Sequence, residues 1–292
     1  KAAGHDSSLP DRETRCRWSM GAGTSIFLIF LLLGMLRRRL SLQGELERSL
    51  RKNEFEINYQ PFVDLESGRC IGAEALISWI PPGGQVVRPV LFIPLAGATG
   101  LIEPMTEWLM KQIRLEMEGL LADNRDLHIA INLSPIHFES EKILSTSSRI
   151  FGSSAIQPNQ LVYEITERGL IKEDNETART VMKKLRARSS RIAPDDFGTG
   201  YSSLSYLKRF EINNIKIDKS FVENLPHDTN DKAIVQAIMA MANTLGLDVI
   251  AEGIETSEQK DFFASEKCKL VQGYYFSKPV TADQFSKLFL SY

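Results

Sequence analysis

The sequence has few residues of the kinds that build zinc sites and disulfide frameworks, with three cysteines and four histidines among 292 residues. The cysteines, Cys16, Cys70 and Cys268, are odd in number and far apart, which fits neither a disulfide framework nor a zinc knuckle. We therefore expect Cys70 and Cys268 to be free, cytoplasmic thiols. An excess of charge of one sign is also lacking. The formal net charge of −2 does not provide the excess of positive charge that is typical of proteins that bind DNA or RNA polymers.

Glycine-rich nucleotide fingerprints are absent as well. No dinucleotide-binding or P-loop pattern follows a predicted strand, which counts against a nucleotide-binding fold of either kind. Hydrophobic residues make up 43% of the sequence and charged residues 25%. This is an ordinary globular balance that allows a sizeable core.

One long hydrophobic run is present near the start of the chain. Residues 18–36 contain no charged side chain. Nineteen helical residues at ~1.5 Å each span roughly 28 Å, close to the ~30 Å of bilayer hydrocarbon. Arg37, Arg38 and Arg39 follow directly, which by the positive-inside rule places the C-terminal side in the cytoplasm. A signal-peptide core is disfavoured by the polar lead and the missing cleavage site, and a buried helix is the other alternative.

The expected organisation has four parts. They are an extracytoplasmic remnant at residues 1–17, a transmembrane helix at 18–36, a juxtamembrane linker helix at 37–52 and one domain at 53–292. The linker has leucines at positions 40, 42 and 50 among charged residues, and we interpret it as a juxtamembrane helix. The pattern leaves open whether this helix transmits a signal or only connects.

The domain alternates short apolar runs with longer helical patterns. The predicted strands are Phe55–Val63, Cys70–Trp79, His128–Leu133, Leu161–Thr166, Arg191–Pro194, Asn214–Ile217, Asp248–Ala251 and Leu270–Tyr275. The predicted helices are Pro104–Leu121, Asp174–Arg188, Asp231–Leu245, Ser257–Glu266 and Ala282–Leu288. This order predicts an α/β fold, a (β/α)8 TIM-like barrel rather than an open doubly wound sheet. Asp64–Arg69 is too short for a crossover helix, so we expect an antiparallel first strand.

Acid, amide and lysine side chains recur at the predicted carboxyl ends of the strands. They are Glu74, Asn132, Glu164, Glu167, Asp195, Asp196, Lys216, Asp218, Glu252, Glu255 and Gln272. One of them alone would more often be a helix cap or a surface ion pair. Together they lie where barrels place active sites, and so many uncompensated anions would cost too much folding free energy. Oxygen ligands of this kind suit Mg²⁺ or Mn²⁺ rather than zinc.

Four of these positions suggest phosphate chemistry. Because Asp195 and Asp196 are adjacent, one carboxylate can bridge two ions, as in two-metal hydrolysis of phosphate esters. Lys216 would add positive charge for the phosphoryl transition state, and Glu252 would act as general base toward water. Residues 197–204 are rich in glycine and hydroxyl groups and predict an active-site loop, with a plain turn as the alternative.

These residues stand in motifs that closely resemble the signature of the EAL-domain family. The motifs are Tyr59-Gln-Pro61, Gly72-Ala-Glu-Ala-Leu76 with Trp79, Asn132-Leu-Ser134, Glu164-Ile-Thr-Glu167, the segment 195–204, Lys216-Ile-Asp218, Glu252-Gly-Ile-Glu255 and the segment 272–279. The resemblance implies a phosphodiesterase that uses two Mg²⁺ or Mn²⁺ ions to hydrolyse cyclic di-GMP to linear pGpG. It also implies a homodimer, and, with residues 18–36, a protein of the bacterial inner (plasma) membrane whose catalytic domain is cytoplasmic.

The resemblance implies a role for each matching residue. The ligands of the first metal are Glu74, Asn132, Glu164 and Asp195, and Asp196 helps to hold the second. The catalytic lysine and the general base are Lys216 and Glu252. The substrate-binding positions are Gln60, Leu76 and Gln272, and those that anchor the loop after the fifth strand are Glu167 and Thr199.

Two departures from the family pattern bear on activity. Ser78 stands where the family usually has an arginine that contacts a substrate phosphate, and losing that charge-assisted bond would weaken binding by about 1.5–3 kcal/mol. Pro194 replaces a usual leucine before the aspartate pair and removes a ladder donor. They leave open a second hypothesis, a receptor that binds cyclic di-GMP without cleaving it. A scaffold that makes only protein contacts is disfavoured because the predicted metal ligands are all present.

Overall fold

A computed structural model describes residues 42–166, 176–195, 212 and 214–291 of the chain. The chain divides into two compact units, Lys1–Ser49 and Leu50–Tyr292. The first described element is helix α1, residues 42–51, within the segment predicted to be a linker helix. The predicted domain boundaries stay predictions, and the fold and the site below belong to the second unit.

Eight strands and seven further helices are described. The strands are β1 Phe55–Asp64, β2 Cys70–Trp79, β3 His128–Leu133, β4 Leu161–Thr166, β5 Arg191–Asp195, β6 Asn214–Ile217, β7 Asp248–Ala251 and β8 Leu270–Val271. The helices are α2 Pro89–Thr99, α3 Ile102–Asp123, α4 Lys142–Phe151, α5 Glu176–Ala187, α6 Thr229–Leu245, α7 Ser257–Ser265 and α8 Ala282–Ser291. Short 3₁₀ helices lie at Pro135–Phe138, Pro158–Gln160 and Lys219–Phe221.

The strands form one sheet in the order β5-β4-β3-β2-β1-β8-β7-β6. Neighbouring strands are parallel except that β1 is antiparallel to both β2 and β8. Because β5 and β6, at the two ends of this order, also lie against each other, the sheet is a nearly closed barrel. The predicted TIM-like barrel with an antiparallel first strand is therefore confirmed.

The alternation of side chains along the strands builds the barrel interior in layers. One layer is a buried apolar cluster of Phe62, Ala130, Val162, Ala193 and Ile250. Two residues further along the same chain segments come Asn132, Glu164, Asp195 and Glu252. Since a strand repeats its side-chain direction every two residues, these polar groups lie on the same face, nearer the carboxyl ends. The apolar layer thus forms a floor beneath a polar layer.

The helices cover the outside of the barrel through apolar stripes. In α3, Met105, Leu109, Ile113, Met117 and Leu121 are buried and recur every four residues, which places them on one side of the helix. All of them except Met105 belong to the main core cluster. Each fully buried side chain of this size contributes about 1.5–3 kcal/mol to folding.

The strand and helix predictions fail in identifiable places. Strand β8 ends at Val271 rather than at Tyr275, because the chain turns there and the Tyr275 N–H donates to the carbonyl of Ile254. Helices α2 and α4 were not predicted. Helix α2 contains no charged residue and has Pro94 inside it, so its sequence lacks the alternation of apolar and polar faces that marks a surface helix.

The prediction of an inner-membrane protein is corrected by the described helices, none of which is long and apolar enough to cross a membrane. The longest of them, α3, has 22 residues. Charged side chains such as Glu107, Lys111 and Arg114 recur along it, and each would be costly in hydrocarbon. The predicted transmembrane helix at 18–36 and the remnant at 1–17 lie outside the described residues.

Candidate active site

Polar side chains from seven strands converge at the carboxyl end of the barrel. Within or at the end of β2 to β6 lie Glu74, Asn132, Glu164, Asp195 and Lys216, and directly after β7 and β8 lie Glu252 and Gln272. Strand register brings them together in pairs: Asn132 lies beside Glu164, and Gln60 of β1 lies beside Glu74. Parallel strands end at the same rim, which explains why residues so far apart in sequence meet there.

The ammonium group of Lys216 lies at the centre of four carboxylates. Its Nζ is 2.9 Å from Glu164 Oε2, 3.3 Å from Asp195 Oδ1, 3.5 Å from Glu74 Oε2 and 2.5 Å from Glu252 Oε1. The side chains of Lys216 and Glu164 are only 1% exposed. When all five groups are ionised, one positive charge faces four negative ones, so three negative charges remain unbalanced within this cluster.

Two amide side chains fix the carboxylate of Glu74. Asn132 donates from Nδ2 to Glu74 Oε1 at 2.6 Å, and Gln272 donates from Nε2 to Glu74 Oε2 at 3.2 Å. Gln272 also lies 3.5 Å from the backbone oxygen of Gln60. Bonds to both carboxylate oxygens offset part of the free energy needed to bury this charge.

Burial and mutual repulsion shift the proton affinities in the cluster. Burial raises the pKa of Glu164 well above its usual range, although Lys216 opposes this. Burial likewise raises the pKa of Glu252, to about 7, with further contributions from Asp195 and Glu74. Burial alone would lower the pKa of Lys216, but the surrounding carboxylates raise it well above its usual value. The lysine therefore stays charged, and Glu252 titrates near neutral pH.

Two observations test whether a divalent cation fits these residues. Glu164 Oε1 is buried and has no hydrogen-bond partner among the described residues. Buried carboxylate oxygens without a partner are rare in proteins. Asn132 donates through Nδ2, which leaves its Oδ1 as an available acceptor. Carboxylate and amide oxygens are the preferred ligands of Mg²⁺ and Mn²⁺. The donor set therefore fits a hard divalent cation.

Within the described ranges, no three His, Cys, Asp or Glu side chains are arranged to hold a metal ion as they stand. The reason is the position of Lys216, since four carboxylates are directed toward its Nζ. The contact between the lysine and the acids is not predicted by the strand-end pattern, in which they are separate features. Asp196, the predicted bridging ligand, lies outside the described residues, as do Glu167 and Thr199, and their roles stay predictions.

A cavity of about 800 Å³ adjoins the carboxylate cluster. Its wall is largely apolar and includes Leu76 of β2, Ile93 of α2 and Met105 of α3, and Asn132 and Asp218 supply polar groups. An apolar cavity with a few polar groups is the usual form of a site for a small organic ligand. Leu76 is one of the predicted substrate-binding positions, whereas the wall formed by α2 was not predicted.

The two departures from the family pattern lie on the strands that carry the site. Ser78 stands directly opposite Glu56 of β1 in the antiparallel register. Pro194 pairs with Ile165, and the strand continues to Asp195. Strand β5 stands at one end of the ladder order, a position where a missing N–H donor is tolerated better than in a central strand.

The fold and the site together define an eight-stranded barrel with an acidic, lysine-centred site at its carboxyl end. Residues 43–279 match the EAL domain family, and the chain therefore belongs to that family. The resemblance predicted from the strand-end motifs is confirmed.

Several curated relatives have names that state an activity. The chain is 36% identical over 252 residues to the bifunctional diguanylate cyclase/cyclic di-GMP phosphodiesterase MucR of Pseudomonas aeruginosa, covering 85% of this chain and 36% of MucR. It is 35% identical over 266 residues to the probable cyclic di-GMP phosphodiesterase PdeB of Escherichia coli K12, covering 91% of this chain and 50% of PdeB. The chain thus spans half or less of the length of these relatives.

Solved structures of EAL domains share the fold. A MucR phosphodiesterase in complex with cyclic di-GMP has a TM-score of 0.79 and 36% identity, covering 84% of this chain and 99% of that one. The EAL enzyme Bd1971, with cAMP and cyclic di-GMP bound, has a TM-score of 0.81 and 30% identity, covering 91% and 76%.

Proposed function

We propose that this domain hydrolyses cyclic di-GMP to linear pGpG in a reaction that depends on Mg²⁺ or Mn²⁺, with two ions per site. The observation that supports the proposal most directly is the cluster of four carboxylates around the Lys216 ammonium at the carboxyl end of the barrel. The choice of substrate is supported by relatives named as cyclic di-GMP phosphodiesterases and by a related domain in complex with cyclic di-GMP.

The acidic cluster would hold the cations. Glu74, Asn132, Glu164 and Asp195 would hold the first, and Asp196 would help to hold the second. When bound, such ions supply Lewis acidity toward phosphoryl oxygens and lower the pKa of a water. When the carboxyl groups are ionised, the cluster has three unbalanced negative charges, and these favour cation binding because each added positive charge reduces their mutual repulsion.

Glu252 and Lys216 would handle the proton and the developing charge. Burial raises the pKa of Glu252 to about 7, so near neutral pH its carboxylate accepts a proton from the attacking water efficiently. The ammonium of Lys216 remains charged and stabilises the negative charge that develops on the phosphoryl oxygens in the transition state. Both act with little reorganisation because their positions are already fixed by the cluster.

The substrate would be positioned by the neighbouring cavity. One base of cyclic di-GMP would enter the slot beside Leu76, with Gln60 and Gln272 as further contacts. The apolar wall removes water from that base, which favours binding and limits the number of orientations available to the phosphodiester.

Association into a homodimer is part of this proposal, and sedimentation analysis of the purified chain tests it.

Replacing Glu74 by alanine tests the proposal. The chain with Mg²⁺ should convert cyclic di-GMP to pGpG, and Glu74→Ala should lower kcat by at least about 10²-fold, since a lost cation ligand removes several kcal/mol of charge stabilisation. Product formation is followed by chromatography, with EDTA as the metal-free control. Glu141→Ala, which removes an exposed ion pair with Lys184, should keep activity within about two-fold. Steady turnover by Glu74→Ala would remove this residue from the site.

A second candidate function is a receptor that binds cyclic di-GMP without cleaving it. The observation that favours it is Ser78, since the position where the family usually has a phosphate-binding arginine carries no charge. Tight binding by calorimetry, with no product over hours at high protein and Mn²⁺ concentrations, would establish the receptor and exclude the enzyme.

Restoring the arginine should strengthen substrate binding. Ser78→Arg should lower the KM for cyclic di-GMP about ten-fold. This factor corresponds to about 1.5 kcal/mol, the lower end of the free energy that a charge-assisted hydrogen bond contributes. We expect the lower end because Glu56 lies directly opposite and competes for the guanidinium. The double variant Ser78→Arg, Glu56→Gln removes that competitor and should bind more tightly still. An unchanged KM in both variants would show that this position does not contact the substrate.

A further inference from the structure

Gln259, in the first turn of α7, makes hydrogen bonds with every polar group of its side chain. Its Oε1 accepts from the N–H groups of Glu255 at 2.7 Å and Thr256 at 3.1 Å. Its Nε2 donates to the carbonyl oxygens of Val222 at 2.9 Å and Glu223 at 3.4 Å. The side chain is 3% exposed, so water does not compete for these bonds.

The bonds join two chain segments that lead out of the site. Glu255 and Thr256 belong to the loop after β7, which begins with Glu252. Val222 and Glu223 follow the 3₁₀ helix after β6, the strand that contains Lys216. Gln259 therefore closes a link between the segment that carries Glu252 and the segment that carries Lys216.

The loop after β7 lies very close to the 3₁₀ helix after β6. Gly253 has φ of 76°, and a Cβ atom at this position would come within 2.5 Å of Lys219 Cβ. Only glycine fits, because a side chain would be strained by the left-handed backbone and would also collide with Lys219. The Glu252 N–H donates to Ile217 O and the Ile254 N–H to Gln272 O. The backbone of Glu252 and Ile254 is thus bonded to the ends of both neighbouring strands, β6 through Ile217 and the residue after β8 through Gln272.

We propose that Gln259 is a positioning residue that holds the Glu252 carboxylate against the Lys216 ammonium by tying together the segments that carry them. The proposal rests on the proposed function, in which Glu252 takes the proton and Lys216 binds the developing charge. A carboxylate on a loop would otherwise sample several positions, and a displacement of 1 Å can cost ~10²-fold in rate.

Helix capping alone does not account for this arrangement. The Thr256 hydroxyl accepts from the Gln259 N–H at 3.2 Å, and the Gln259 side chain bonds back to the start of the helix, which is a capping box. A glutamate at position 259 would serve that box equally well, since only an acceptor is needed. The two bonds donated to Val222 and Glu223 require the amide, and they connect α7 to a different segment.

The test compares two buried glutamines at opposite ends of the barrel. Gln160 lies directly before β4, at the amino end of the strand, and is fully buried. Its amide donates to the carbonyl oxygens of Leu121, Asn124 and Leu127, which precede β3. Gln259→Met and Gln160→Met each remove an amide that pairs with buried backbone groups. Both should lower the Tm, measured by circular dichroism on the full chain.

Only Gln259→Met should damage catalysis. At a temperature where both variants are folded, Gln259→Met should lower kcat by ~10- to 100-fold with KM changed less than about three-fold. Gln160→Met should keep kcat within about two-fold. Gln259→Glu keeps the cap but loses the donated bonds, so it should also lower kcat, whereas Thr256→Ala, which weakens only the cap, should not. Equal kcat losses at both glutamines, or an undiminished kcat in folded Gln259→Met, would overturn the proposal.

A structural measurement separates this proposal from the proposed function. If the unmodified chain shows no turnover, the proposed hydrolysis fails, and the crystal structure of Gln259→Met then decides the positioning role. A Glu252 carboxylate displaced from Lys216 Nζ supports it, and an unchanged contact overturns it.

Discussion

If the domain hydrolyses cyclic di-GMP as proposed, replacing Glu252 by glutamine should lower kcat by about 10²–10⁴-fold, the usual contribution of a general base. Glutamine has nearly the same shape but cannot accept the proton. KM should change little, because Glu252 contacts Lys216 rather than the apolar cavity. Steady-state kinetics at saturating Mg²⁺, with protein concentrations high enough to measure slow turnover, gives both constants.

The pH dependence of the unmodified protein provides an internal check on this result. Burial raises the pKa of Glu252 to about 7, and the base works only when ionised, so kcat/KM should rise as pH increases through the pKa. Bound cations favour the ionised carboxylate, so the observed pKa should lie at or below about 7. The residual activity of Glu252→Gln should lack this acidic limb.

Glu258→Gln is the matched control for this substitution. Glu258 lies in the first turn of α7 and its side chain is 65% exposed. The same loss of a carboxylate, six residues away and in solvent, should leave kcat within about two-fold. If Glu252→Gln retained full kcat and the acidic limb, another group would have to be the base, and the assignment of Glu252 would be wrong.

The sequence predicted the positions of the site residues better than their contacts. Glu74, Asn132, Glu164 and Lys216 could be assigned to one rim because each stands at a strand, and parallel strands of a barrel end on the same side. The contact between Lys216 and Glu74 joins residues 142 apart in sequence. No local pattern contains that information, and so the lysine at the centre of the acids was not foreseen.

The missed features share a physical cause. Helix α2 has apolar residues on all sides, and the cavity that it walls exists only once α2 packs beside β2 and α3. Gln259 follows Thr256 by three residues, a spacing that predicts a helix cap. Its bonds to Val222 and Glu223 depend on how two loops meet at the end of the barrel. Periodicity and capping rules describe single elements, whereas these features arise from the packing of several.

Replacing Lys216 by methionine should produce the largest loss of stability of any single change in the cluster. Methionine fills a similar volume but removes the ammonium that four carboxylates contact. Leaving buried charges without their partner costs about 3–5 kcal/mol. Turnover should also be lost, since the ammonium would no longer meet the charge on the phosphoryl oxygens. Urea unfolding of the metal-free protein in EDTA measures the change in the free energy of unfolding.

This loss of stability should grow with pH. Burial already raises the pKa values of Glu164 and Glu252, and removing Lys216, which lowers both, raises them further. A carboxyl whose pKa is raised in the folded state contributes stability below its unfolded pKa, and this contribution disappears as pH rises through the folded pKa. The variant should therefore be close to the unmodified protein near about pH 5 and much less stable near about pH 8.

Two comparisons separate this effect from a general loss of charge. Lys269→Met removes an exposed lysine 3.8 Å from Asp248, and such surface pairs are worth about 0–1 kcal/mol, so its stability should change little at either pH. Adding Mg²⁺ to Lys216→Met should restore part of the stability, because a cation bound by the carboxylates replaces the missing positive charge and binding favours the folded state. If Lys216→Met were as stable as the unmodified protein at about pH 8 without metal, the four carboxylates would not depend on the lysine for their charge balance. The inference that this cluster needs bound cations would then be wrong.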